Sequence, residues 1–174
     1  MRSITKKTIL VTGILVVCIA VFLNSFRTRK YTDPDKYLVA GHVLYQKLLP
    51  EQLLDFRGAK AQFLLFGAQE ACAFRLSEPD YAAYTEVLAS SLHEDYKTSY
   101  EKFYDLKVSE LNSAIGQDYE PFSGEHFLKN VTDQPIDGYR VLFFLPAGST
   151  GGRAYGIFAD PDTCRIVMYS GGHN

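Results

Sequence analysis

Between Asp33 and Ile115 the apolar residues recur at helical spacing, and beyond Gly116 the spacing changes to that of strands. Thr32-Asp33-Pro34 predicts a helix start: Asp33 can cap, and Pro34 suits the first helical position, where no amide bond is lost. Tyr37, Leu38, His42, Tyr45, Leu48 and Leu49 carry that helix to Pro50. The next segment, Glu51–Leu76, holds Leu53, Leu54, Phe56 and Phe63–Phe66, and its Ala-rich second half predicts helix over strand. Ser77-Glu78-Pro79-Asp80 starts another helix, with Ser77 as cap. Its apolar stripe runs from Tyr84 to Ile115, with an expected break where polar residues gather over His93–Ser99.

Asp118–Gly138 holds two prolines and two glycines, so it predicts loop with one short strand around Phe127–Val131. Three strands should follow, over Tyr139–Leu145, Arg153–Ala159 and Cys164–Tyr169, the last two joined by a turn at Asp160-Pro161-Asp162-Thr163. Helices first and a meander last define an α+β domain, with helices packed on one face of a C-terminal antiparallel sheet.

The run Ile9–Leu23 stands apart as fifteen residues without a charge, behind Arg2, Lys6 and Lys7. It is short for a spanning helix of roughly 20 residues and long for a signal core of roughly 7–15. No small-x-small cleavage site follows it, and Val17 stands where lipidation of Cys18 would need a small residue. The expectation is therefore a retained anchor, with a cleaved signal as the alternative. Residues 1–8 would be a cytoplasmic head, 9–26 a transmembrane helix in the lipid bilayer, 27–33 a linker and 34–174 a single extracytoplasmic domain. In a bacterium that is a single-pass inner-membrane protein with its C-terminal domain in the periplasm.

Charge narrows the partners. All 20 acidic residues but only 12 of the 18 basic ones lie beyond Lys30, leaving that part of the chain at −8. Such a surface weighs against nucleic acid and suits a basic protein partner. Exposed carboxylates at Glu94, Asp95, Glu101 and Asp105 are the candidate contact residues, since they would speed association with a cationic surface. In an oxidising compartment Cys72 and Cys164 would form a disulfide closing a long loop, stabilising by about 4–5 kcal/mol on the chain-entropy model. Two buried free thiols are the alternative.

Nothing along the chain marks an enzyme. The four histidines (His42, His93, His126, His173) are scattered without zinc spacing, no serine sits in a nucleophile elbow, and Gly148–Arg153 leads into a strand where a phosphate loop would lead into a helix. Catalytic residues, metal ligands and cofactors are accordingly not assigned.

One segment resembles a known family. Gly138–Tyr169, with an apolar strand, Leu145-Pro146-x-Gly148, then Gly151-Gly152-x-Ala154, a strand, a turn and a final strand, is similar to the C-terminal hairpin of NTF2-fold immunity proteins. The resemblance implies an NTF2-like cone of helices on a curved sheet, and a non-enzymatic activity: neutralising a toxin by binding it. The other reading is a small-molecule or isomerase-like site, in which the cone holds a pocket lined by some of the 12 tyrosines.

Overall fold

The computed structural model describes residues 11–19, 27–39, 48–63, 67–117, 119, 121–148 and 152–172. Its centre is a six-stranded antiparallel sheet in the order β1-β2-β3-β6-β5-β4. The strands are β1 (Arg29–Tyr31), β2 (Leu54–Phe63), β3 (Gly67–Arg75), β4 (Arg140–Leu145), β5 (Arg153–Asp160) and β6 (Arg165–Gly172). The helices are α1 (Pro34–Val39), α2 (Glu78–Asp95), α3 (Lys97–Phe103), α4 (Val108–Ile115) and α5 (Glu125–Leu128).

Helix starts follow local chemistry. Asp33 Oδ1 accepts the Asp35 amide at 3.0 Å ahead of α1, and Ser77 Oγ accepts the Asp80 amide at 3.4 Å ahead of α2. Gly116 closes α4 at φ 74°, a left-handed position suited to glycine. The predicted break near 93–99 falls at Tyr96, where α2 gives way to α3. The expected continuation of α1 over 40–47 lies outside the described residues.

The Ala-rich segment is where expectation and fold part. Glu51–Leu76 forms the β2–β3 hairpin rather than a helix, with Ala59 opposite Ala71 and Gly58 opposite Cys72. Ala favours helix in isolation, but here tertiary pairing overrides propensity, because β3 also pairs along its length with β6. The short strand expected around Phe127–Val131 is instead the single turn α5 followed by loop.

Helices cover both faces of the sheet, not one. On the first face Ala59, Ala61, Ala71, Ala73, Phe144, Phe158, Val167 and Tyr169 pack under Leu111 and Ile115 of α4 and Phe127 and Leu128 of α5. On the second, Phe56, Cys72, Phe74, Phe143, Ile157, Ile166 and Met168 pack under Tyr37 of α1 and Leu88 and Leu92 of α2. A sheet buried on both sides needs apolar residues at successive positions, which is why β4 and β6 carry near-continuous apolar runs. A register shift between Val141 and Phe143 puts Leu142 and Phe143 both in the second cluster.

Two further expectations are corrected. Residues 11–19 form an exposed helical stretch, and among the described residues no helix is long and apolar enough to cross a membrane. The single-pass inner-membrane anchor over 9–26 and the periplasmic placement built on it are thereby overturned; residues 9, 10 and 20–26 lie outside the described residues. The Cys72–Cys164 bridge is also absent, since both are free thiols. Cys72 faces Met168 across the ladder, whereas Cys164 lies beyond its far end, its carbonyl accepting the Leu76 amide at 3.0 Å. Four residues of strand separate Met168 from Cys164, roughly 13 Å, where a disulfide needs Cα atoms within about 7 Å.

Candidate functional site

The predicted contact carboxylates belong to α2, α3 and the turn after it, and the packing of these helices makes a groove. Leu88 and Leu92 anchor α2 on the second face, while Phe103 of α3 meets Phe144 edge-on at 5.4 Å. Between the two helices lies an open groove of about 680 Å³ lined by Thr85, Glu86, Ala89, Ser90 and His93 of α2, Tyr100 of α3 and Tyr104.

Its aromatic wall is ordered by spacing. Tyr100 and Tyr104, four residues apart, stack with centroids 4.5 Å apart and an interplanar angle of 21°. The His93 ring stands edge-on to Tyr100 at 5.2 Å. Partial burial, aided by the Tyr104 hydroxyl, holds the Tyr100 phenol above its ordinary range. The neighbouring Tyr81 phenol is pushed up to about 12 by desolvation, with the Cys164, Asp160 and Tyr104 side chains adding to it. The Tyr100 and Tyr81 phenols are therefore protonated donors at neutral pH. Tyr104 and Tyr96 keep 43% and 37% of their surface in solvent, and Val87 of α2 keeps 63%, so this side of the molecule presents apolar as well as acidic groups.

The four predicted carboxylates do not act as one cluster. Glu101 does not line the groove but stands beside one of its lining residues: its Oε1 lies 3.9 Å from His93 Nε2 and 3.9 Å from Lys97 Nζ. Glu94 and Asp95 sit exposed in the last turn of α2 with no ion pair to any described residue. That placement opposes the helix dipole, which favours cations at this end by about 0.3–1 kcal/mol. Asp105 is taken up by the fold. It adopts φ 64°, its amide donates to Val141 O at 2.8 Å, and its carboxylate lies 3.5 Å from Arg140 Nη1.

Glu86, Thr85, Ser90 and the paired tyrosines complete the groove and were not among the predicted contacts. Tyr100 and Tyr104 fit the apolar stripe in sequence, and only the angle between α2 and α3 turns them toward the groove. One sequence signal was available: α2 carries Glu78, Asp80, Glu86, Glu94 and Asp95 but no Lys or Arg.

Among the described residues no group of three His, Cys, Asp or Glu side chains is placed to hold a metal ion. Cys72 is fully buried, and desolvation pushes its thiol up to about 12, the opposite of what a nucleophile requires. No family model, no curated protein and no solved structure matches the chain.

Proposed function

We propose that the chain is a non-enzymatic binding domain that takes a basic protein partner along the α2–α3 groove. The observation that carries this reading is the open groove itself, which sets exposed tyrosines beside carboxylates. Tyrosine supplies large contact area with little entropy loss, and its ring face attracts a partner Arg or Lys. Glu86 lines the groove and Glu101 stands beside its His93 to meet the cation, while Glu94 and Asp95 extend the acidic field along α2. Such a field raises the rate of encounter with a basic surface more than it deepens affinity.

The specific form of this reading is an immunity-type protein that neutralises a toxin by covering it, as the resemblance of Gly138–Tyr169 implies. The test is co-expression of the chain with the product of each adjacent open reading frame, scored by growth and by calorimetry on the purified pairs. One product should be toxic alone, tolerated with the wild-type chain, and bound with an association rate that falls as salt rises. Glu101→Lys with Tyr104→Ala should abolish protection while leaving the fold intact. Full protection by that double variant would refute the groove as the contact surface, and the absence of any toxic neighbour would refute the immunity form.

A further inference from the structure

Hydroxyl geometry gives the α2 wall of the groove one chemical sense. Thr85, Glu86 and Ser90 fall at helical spacing on one side of α2. The Thr85 hydroxyl donates to Tyr81 O at 2.9 Å, with Ala82 O at 3.1 Å, and the Ser90 hydroxyl donates to Val87 O at 3.0 Å. A hydroxyl has one proton and two lone pairs, so both side chains turn their proton onto the helix backbone and keep lone pairs for another molecule. Glu86 adds a carboxylate, which when ionised only accepts. It is exposed and forms no ion pair with any described residue.

The opposite wall is a flat π surface. Tyr100 and Tyr104 stack at 4.5 Å, and Tyr104 keeps 43% of its surface in solvent. Cations of this chain are engaged elsewhere. Lys97 Nζ and His93 Nε2 each lie 3.9 Å from Glu101, which does not line the groove. Lys102 Nζ stands 5.2 Å from the Phe103 ring centroid and 5.8 Å from that of Tyr119. α2 itself carries no Lys or Arg. The groove thus joins a wall of acceptors, with one carboxylate that no cation of the described fold neutralises, to an aromatic wall.

The group that complements both walls at once is a flat cation with several donors and no acceptor. Guanidinium is planar, always charged, weakly hydrated and rich in N–H groups, and it stacks on a ring while bonding a carboxylate in its own plane. An ammonium matches the charge alone, being compact, strongly hydrated and unable to lie flat on a ring. We infer that the groove takes an arginine side chain of the protein partner, its guanidinium against Tyr104 and its N–H groups on Glu86 and the adjoining hydroxyl oxygens. This rests on the groove being the contact surface and adds which side chain enters it.

The test uses Gly-Ser peptides identical except for a central arginine, lysine or citrulline, titrated into the full chain at matched ionic strength and followed by backbone amide shifts. The arginine peptide should move the amides of Glu86, Ser90 and Tyr104. It should bind about tenfold tighter than the lysine peptide, the size of one charge-assisted hydrogen bond, and citrulline should bind weakest. Glu86→Gln should weaken the arginine peptide by about tenfold. Tyr104→Ala should erase most of the preference for arginine over lysine, while Tyr104→Phe, which keeps the ring, should retain it. The inference is overturned if arginine and lysine bind alike, if citrulline matches arginine, if Tyr104→Ala keeps the full preference, or if the arginine peptide moves no amide of the groove. Equal binding of arginine and lysine would still leave the groove a surface for basic partners, a reading that the protection assay with Glu101→Lys and Tyr104→Ala decides separately.

Discussion

Replacing Phe122 with Ala should remove the keystone of the first face. Phe122 belongs to the irregular segment between α4 and α5, yet it is only 5% exposed. Its ring meets Phe144 at 5.6 Å, Phe158 at 5.5 Å and Tyr169 at 5.3 Å, so one loop side chain joins β4, β5 and β6. Asn112 of α4 clamps it from both sides, accepting the Phe122 amide at 2.6 Å and donating to its carbonyl at 3.3 Å. A buried Phe→Ala change costs about 3–5 kcal/mol, a large share of the ~5–15 kcal/mol that a domain has in total. At roughly 2–4 °C per kcal/mol, Tm should fall by about 10–15 °C. Urea unfolding followed by circular dichroism would show the midpoint falling at constant slope. Asn112→Ala alone should cost about 1–2 kcal/mol for its two bonds, and less once the ring is gone, because the clamp then positions nothing. A Phe122→Ala loss below about 1 kcal/mol would refute the placement of this loop over the core.

Thiol titration of the native chain should count two reactive cysteines, Cys18 and Cys164, with Cys72 appearing only in denaturant; a single thiol in denaturant would instead demonstrate the bridge. Because the folded-state pKa of Cys72 is raised from 9.0 to about 12, its contribution to stability is complete below pH 9 and lost as pH climbs towards 12. Tyr169, raised from 10.0 to about 12, acts in the same direction. The urea midpoint should therefore decline above pH 9, and a midpoint flat to pH 11 would contradict this. Gly58→Ala should cost about 1–3 kcal/mol by overpacking, since a Cβ there would lie 2.5 Å from Cδ2 of the fully buried Tyr37; an unchanged melting curve would mean that Tyr37 does not cover β2.

Locally determined features were legible in the residues. The cap at Ser77, the Pro34 start, the Gly116 stop and the Asp160–Thr163 turn each depend on a few neighbouring side chains, and each stands where its chemistry predicts. The three C-terminal strands were legible for the same reason, being apolar, β-rich and bounded by turns. The exposed carboxylates of α2 and α3 could be named, but not sorted. That Glu101 joins His93 while Asp105 joins Arg140 depends on how α3 lies against α2 and β4.

What only tertiary structure decided involves partners far apart in sequence. Ala71 and Ala73 are helix formers by propensity and strand residues by pairing, because β6 lies about a hundred residues on and supplies their ladder. Lys60, Glu70, Ser170 and Tyr155 are unremarkable in the chain and become one row only through the registers of β2, β3, β6 and β5. The apolar run Ile9–Leu23 is plain from hydropathy, yet among the described residues no helix is long and apolar enough to cross a membrane. By itself the sequence determined the caps, the turns, the last three strands and an acidic surface, all of which rest on short-range chemistry. The six-stranded order, the two covered faces, the α2–α3 groove and the polar row were decided by non-local packing, where the energy of a contact belongs to residues that the chain keeps apart.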